Sequence, residues 1–310
     1  MKSIALAPYS VRFKKPYEQD EFLENIDGGT DSLVLVETAL NALLTKESHD
    51  QGARKVLSVV SVKRDKRTLC GILEGGEYGL ASTIRDVVKR KKVHDKERDH
   101  ADMFRFYYLL SLPKQRTKGI LLIQKIGALG VVTPLKIALQ DALSKVCPLY
   151  NVHIRQLSTM GIYDRFMDKG DLRKIRFVRF KVPKAIEDAY PSGHEEIYGR
   201  TELVIKIGGV HGMPFAKAIR KFQNGKGALG DIIELGDDHF EADTIKMEMT
   251  VSGKRRTLSV QDPQNMRAQL DISDEVKIGT DGNPEFDSID GIASEWLTEL
   301  EAGMYGKGGA

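Results

Sequence analysis

The stretch Met103-Phe104-Arg105-Phe106-Tyr107-Tyr108-Leu109-Leu110-Ser111-Leu112, a polar interval at 113–118, and then Gly119-Ile120-Leu121-Leu122-Ile123-Gln124-Lys125 decide the fold class. Both runs are aromatic, aliphatic and β-branched, the residue types that fit a pleated surface. The short polar interval between them is a hairpin turn. Residues 107–110 and 120–123 are apolar at successive positions, so the pair buries both faces and belongs in the middle of its sheet.

Working outward, further hairpins and helices appear. Residues 3–13 alternate as a strand, and Asp31 or Ser32 caps a helix to about Lys46 with Leu33, Val36, Leu40, Leu43 and Leu44 on one face. A loop at 46–54 leads to a hairpin of 56–62 with 68–73, broken by Gly75-Gly76, and 78–88 reads as a third strand. The charge-dense 89–102 reads as a mobile loop or short solvated helix. Beyond the central hairpin come a helix at 133–146 with Pro134 in its first turn, a strand at 152–157, a short helix at 160–169 and a strand at 172–182. The remainder gives strands at 195–207 and 231–235, a helix at 214–222 with a glycine-rich loop at 224–230, a hairpin of 244–251 with 256–260, a helix after Asp262-Pro263 and a last strand at 276–278. A closing helix at 288–300 spaces Ile289, Ile292, Trp296 and Leu300 on one side. Hairpins interspersed with helices predict an α+β fold, mainly antiparallel with flanking helices, in two subdomains.

Charge supports the division. Residues 1–182 hold 33 Lys/Arg against 21 Asp/Glu, whereas residues 183–310 hold 14 against 23. A basic α+β domain at 1–182 and an acidic α+β domain at 183–310 ending in a helix are therefore expected, with the boundary in 183–193, which carries two prolines and a glycine. A basic half attracts polyanions, and it equally attracts an acidic half of another copy. No apolar run approaches the roughly 18–20 residues of a membrane span, and residues 1–8 run straight into a strand without a signal-peptide pattern, so a cytoplasmic location is expected. Cys70 and Cys147 sit singly in apolar settings, which suits reduced, packed thiols.

The richest candidate site is the basic cluster Arg85, Lys89, Arg90, Lys91, Lys92, Lys96 and Arg98, followed by Arg105 among Phe104, Phe106, Tyr107 and Tyr108. Flexible cations neutralise phosphates without reading bases, and aromatics stack on unpaired ones. The plainer reading is a solvated loop tempered by Asp86, Asp95, Glu97 and Asp99, with the aromatics as core. Arg173, Lys174, Arg176 and Arg179 add a second basic strand, in which charged and apolar residues share each parity.

Other constellations are thinner. His94, Asp95, Asp99, His100 and Asp102 are metal-ligand types, but a separation of six positions does not place the two histidines on one helical face. Glu275-Val276-Lys277 sets a carboxylate and an ammonium on one side of a short strand, with Asp262 or Asp271 upstream, as metal-dependent nucleases require. The stretch Ile207-Gly208-Gly209-Val210-His211-Gly212-Met213-Pro214 matches neither a P-loop nor a dinucleotide fingerprint and reads as a tight turn. No serine lies in a nucleophile elbow.

The expectation is thus a non-catalytic protein that holds nucleic acid electrostatically, without sequence preference, as a component of a larger bacterial assembly such as an anti-phage system. No cofactor or metal is expected. A protein-interaction or homo-oligomeric subunit using basic–acidic complementarity is the alternative, and a metal-dependent nuclease the second.

Overall fold

A computed structural model of the chain describes residues 3–157, 171–179, 201–206, 234–235, 238–239, 244–251, 254–261 and 267–305. The chain forms two compact units, one of Met1–Gln156 with Glu275–Glu299 and one of Leu157–Asp274 with Leu300–Ala310. The fold is α+β, and within each unit every strand pairing among the described residues is antiparallel.

In the first unit the strands are β1 (Ile4–Lys14), β2 (Ser48–Asp50), β3 (Lys55–Asp65), β4 (Thr68–Glu77), β5 (Ser82–Asp86), β6 (Lys91–Lys96), β7 (Asp102–Ser111), β8 (Gly119–Ile126) and β9 (Asn151–Gln156). The helices are α1 (Ser32–Ala42), α2 (Val132–Val146) and α3 (Phe286–Tyr305), the last beginning in this unit. Seven strands follow one another as β9, β1, β8, β7, β4, β3 and β2, while β5 and β6 form a separate two-stranded ribbon.

The hairpin β7–β8 lies between β4 and β1, with Tyr108 opposite Ile123 and Leu110 opposite Leu121. Its burial is two-sided, as the unbroken apolar runs require. Phe106, Tyr108, Leu110, Leu121 and Ile123 join a core with Leu33, Val36 and Leu40 of α1 and Leu135, Leu139 and Leu143 of α2. Each such fully buried side chain contributes about 1.5–3 kcal/mol against leaving it in water. Tyr107, on the opposite face, meets Phe286 edge-on at 5.7 Å between ring centroids.

Asp31 is the N-cap of α1, its side chain accepting from the Leu33 N–H. The helix stops at Ala42, short of the expected Lys46, and Leu44 is left exposed. Other expectations are corrected. The loop at 46–54 contains β2, which pairs with β3. Gly75-Gly76 does not break β4, which continues to Glu77. A Cβ at Gly75 would come within 2.3 Å of Val131 Cγ1, and one at Gly76 within 2.3 Å of the Asp102 carbonyl oxygen. The two glycines are there for close approach inside a strand. The expected strand at 78–88 shortens to β5, and 89–102 is neither loop nor helix but carries β6. Near 276–278 there is one isolated bridge, Ile278 with Pro284, instead of a strand.

In the second unit β10 (Asp171–Arg179), β11 (Thr201–Lys206), β14 (Thr244–Val251), β15 (Lys254–Gln261) and β16 (Arg267–Asp271) run in the order β11, β10, β14, β15, β16, and β12 (Glu234–Leu235) pairs with β13 (Asp238–His239). The expected hairpin of 244–251 with 256–260 is β14–β15. Where a helix was expected after Pro263, β16 stands. The expectations at 160–169, 183–193, 214–222 and 224–230 fall outside the described residues. No helix among the described residues is long and apolar enough to cross a membrane.

Candidate functional site

The basic cluster folds into the β5–β6 ribbon. Ser82 pairs with Lys96, Thr83 with Asp95, Ile84 with His94, Arg85 with Lys92 and Asp86 with Lys91, with a bulge between Ile84 and Arg85. Residues 87–90 form its tip. There Asp86 Oδ1 accepts from the Val88 N–H at 2.9 Å and the Lys89 N–H at 2.8 Å. Arg90 has φ +52° and closes the turn in the left-handed region. The root is fastened by the Gly79 N–H donating to the Arg98 carbonyl at 2.7 Å and the Tyr78 N–H donating to the Arg54 carbonyl at 3.0 Å.

The twelve cations singled out in the sequence meet different fates. Arg85, Lys89, Arg90, Lys91 and Arg98 are exposed, and among the described residues no carboxylate lies within ion-pair distance of them. Lys92 is paired with Asp95, which also accepts from Thr83 Oγ1 at 3.1 Å. The Lys92 ammonium, with Thr83 after it, holds the Asp95 carboxyl below its usual range. Lys96 is buried and its Nζ donates to Asp102 Oδ2 at 2.6 Å, so it ties β6 to β7. Arg105 stands on β7 between two carboxylates, Glu74 at 3.0 Å and Asp281 at 3.7 Å.

On β10 in the second unit, Lys174 pairs with the buried Glu248 at 3.1 Å, Arg173 is exposed, Arg176 is half-buried, and Arg179 sits opposite Thr201. Ile175, Phe177 and Val178 are all buried, which accounts for the mixed parity of this strand: both of its faces carry apolar side chains.

The aromatics beside the cluster are structural. Phe106, Tyr107 and Tyr108 are buried, and only Phe104 and Met103 keep partial exposure. The His/Asp group is not assembled around a common point. His94 stacks on His100 at 5.7 Å, Asp95 and Asp102 are taken by Lys92 and Lys96, and His100 Nδ1 accepts from the Glu97 N–H at 3.3 Å. Glu97, Asp99 and His100 do bring ligand atoms within 4.8 Å of one another, on the open surface.

Glu275 and Lys277 are both exposed, Glu275 in a turn and Lys277 in irregular chain, with the Lys277 N–H donating to Ser288 Oγ at 3.0 Å. Asp271 accepts from Lys246 Nζ at 2.5 Å and from Ser273 Oγ at 2.6 Å. Burial alone would push the Asp271 carboxyl up, but Lys246 and Ser273 outweigh it and hold the group low. This is a structural ion pair of the second unit. Asp262 and 207–214 fall outside the described residues.

One feature of the ribbon is absent from the sequence reading. Val87 and Val88, assigned to a strand, are 89% and 91% exposed at the tip. The available signal was their position between an Asx-turn aspartate and two cations, Asp86 before and Lys89-Arg90 after. Both cysteines are free, Cys147 buried and Cys70 half-buried. No protein-family model matches the chain, and no curated protein matches it in sequence.

Proposed function

We propose that the chain binds nucleic acid through phosphate contacts, without catalysis and without base reading, as a component of a larger bacterial assembly, and that the β5–β6 ribbon is its grip. One observation carries the reading: Arg85, Lys89, Arg90 and Lys91 project from a narrow ribbon with no carboxylate in ion-pair reach among the described residues. Uncompensated cations on an exposed element are those that release counterions when they meet a phosphate backbone. The cations that proved to be paired, Lys92, Lys96, Arg105 and Lys174, are removed from the proposed contact set.

A gel shift with duplex DNA at ~50 and ~200 mM salt tests this. Four engaged phosphates correspond to a salt slope of about −3.6, hence a fall in affinity of roughly 10²-fold across that interval. Absence of binding at the lower salt would overturn the proposal. A salt-sensitive self-association seen by light scattering, without any nucleic-acid binding, would replace it with an interaction subunit.

A further inference from the structure

Resting on the nucleic-acid reading above, we infer that Val87 and Val88 form a wedge that enters a base-pair step of duplex DNA while Lys89, Arg90 and Lys91 hold the flanking phosphates. The two valines stand at the apex of the ribbon, 89% and 91% exposed. The apex is shaped in advance by the Asp86 carboxylate, which accepts from the N–H groups of Val88 and Lys89, and by the left-handed Arg90. Valine is stiff at χ1, so little side-chain freedom is lost when this tip is ordered against a partner.

A two-stranded ribbon has the width to lie in a DNA groove. Apolar side chains carried into a groove insert at a step, unstack it and bend the duplex. Charge argues for a groove over a lipid surface. Lys89 and Arg90 occupy the same four-residue tip as the valines. In a groove, phosphates line either side at the depth of the wedge, so Lys89 and Arg90 meet anions while the two valines are inserted.

The test uses the full chain and a DNA duplex of about 20–30 base pairs carrying 2-aminopurine at flexible TA steps. Binding of the unaltered protein should raise the 2-aminopurine fluorescence as the step opens. Val87→Ser with Val88→Ser should abolish the rise and alter affinity by no more than about threefold, since the lost apolar contact is offset by unstacking no longer incurred. Lys89→Ala, Arg90→Ala and Lys91→Ala together should weaken binding at least about tenfold and keep the rise at saturation. A duplex that is bound with no rise, or a rise undiminished in the valine variant, overturns the wedge and leaves phosphate binding standing. No duplex binding even at low salt overturns both. Valine-dependent capture on vesicles of anionic lipid, in place of step opening, overturns the wedge in favour of a membrane contact. All five positions are exposed, and an unchanged thermal melt confirms that the variants fold.

Discussion

The Tyr107 hydroxyl donates a 2.6 Å hydrogen bond to Asp290 Oδ1, joining the middle of β7 to the second turn of α3 across 183 positions of sequence. Tyr107 is buried, and burial followed by the neighbouring carboxylate pushes its phenol far above the ordinary range, so it remains a donor at any pH the fold survives. Tyr107→Phe removes only that donor and keeps the ring against Phe286. A hydrogen bond to a charged acceptor is worth about 1.5–3 kcal/mol, and a loss of that size is expected in urea unfolding at neutral pH.

The same carboxylate reaches the thiol of Cys70. Burial first, and Asp290 after it, push the Cys70 thiol up to about 11. At pH 8 roughly one thiol in 10³ is ionised, so alkylation by iodoacetamide should run far behind a free cysteine despite the partial exposure of the residue. Asp290→Asn withdraws part of the upward push and should speed labelling of the Cys70 peptide, read by mass spectrometry. Equal rates in the two proteins would show that Asp290 has no part in it.

Asp31 serves α1 twice. It caps the helix through the Leu33 N–H at 2.9 Å and accepts a two-pronged contact from Arg67 at 2.6 and 3.1 Å, while Arg67 Nε holds the Leu112 carbonyl at 2.7 Å. Burial would raise the Asp31 carboxyl, but Arg67 and the cap outweigh it and hold it below its ordinary value of 3.8. Because the folded value is depressed, the stabilisation is present in full above the unfolded value and is lost as pH falls through the folded one. Asp31→Ala should cost about 1–3 kcal/mol at pH 7, the cap alone supplying about 1. Asp31→Asn should approach the stability of the unaltered protein as the acid titration passes below 3.8.

Two glycines should respond in opposite directions. A Cβ at Gly71 on β4 would lie 1.9 Å from the Ser61 carbonyl oxygen, beside the irregularity in β3 between Val59 and Ser61. Backbone cannot yield as a side chain does, so Gly71→Ala should cost about 1–3 kcal/mol or more. Gly291 is exposed inside α3 with nothing within 4 Å of a built Cβ, and Gly291→Ala should stabilise by about 0.5–1 kcal/mol through helix propensity. Paired thermal melts read both signs.

Legibility in the sequence followed the range of the forces involved. The β7–β8 hairpin and its two-sided burial were readable because Tyr107-Tyr108-Leu109-Leu110 and Ile120-Leu121-Leu122-Ile123 leave no solvated face. The cap of α1 was readable because Asp31 bonds two residues away. Gly75-Gly76 misled because their role is close approach to Val131 and Asp102, which are distant in sequence. Residues 89–102 misled because charge density marks exposure, and an exposed ribbon and an exposed loop share that composition; Lys91-Lys92-Val93-His94 pairs with Arg85 and its neighbours without any apolar alternation. Which cations are free could not be read at all. Lys96 and Arg105 look like Lys91 and Arg90 in the sequence, yet Asp102, Glu74 and Asp281 neutralise the former pair.

That distinction between paired and unpaired cations predicts how salt sensitivity divides along the chain. Replacing Lys89, Arg90 and Lys91 by alanine removes three charges with no ion-pair partner among the described residues, so the slope of log affinity against log salt should flatten by about 2.7 while thermal stability is unaltered. Arg105→Ala removes a charge already offset by Glu74 and Asp281, so the slope should stay as it was. Lys96→Ala should do the reverse of the triple variant: it leaves Asp102 without its buried partner, lowering stability, and leaves the slope unchanged. If Arg105→Ala flattened the slope as much as the loss of a tip cation does, the contact surface would lie on β7 and the ribbon would be a bystander.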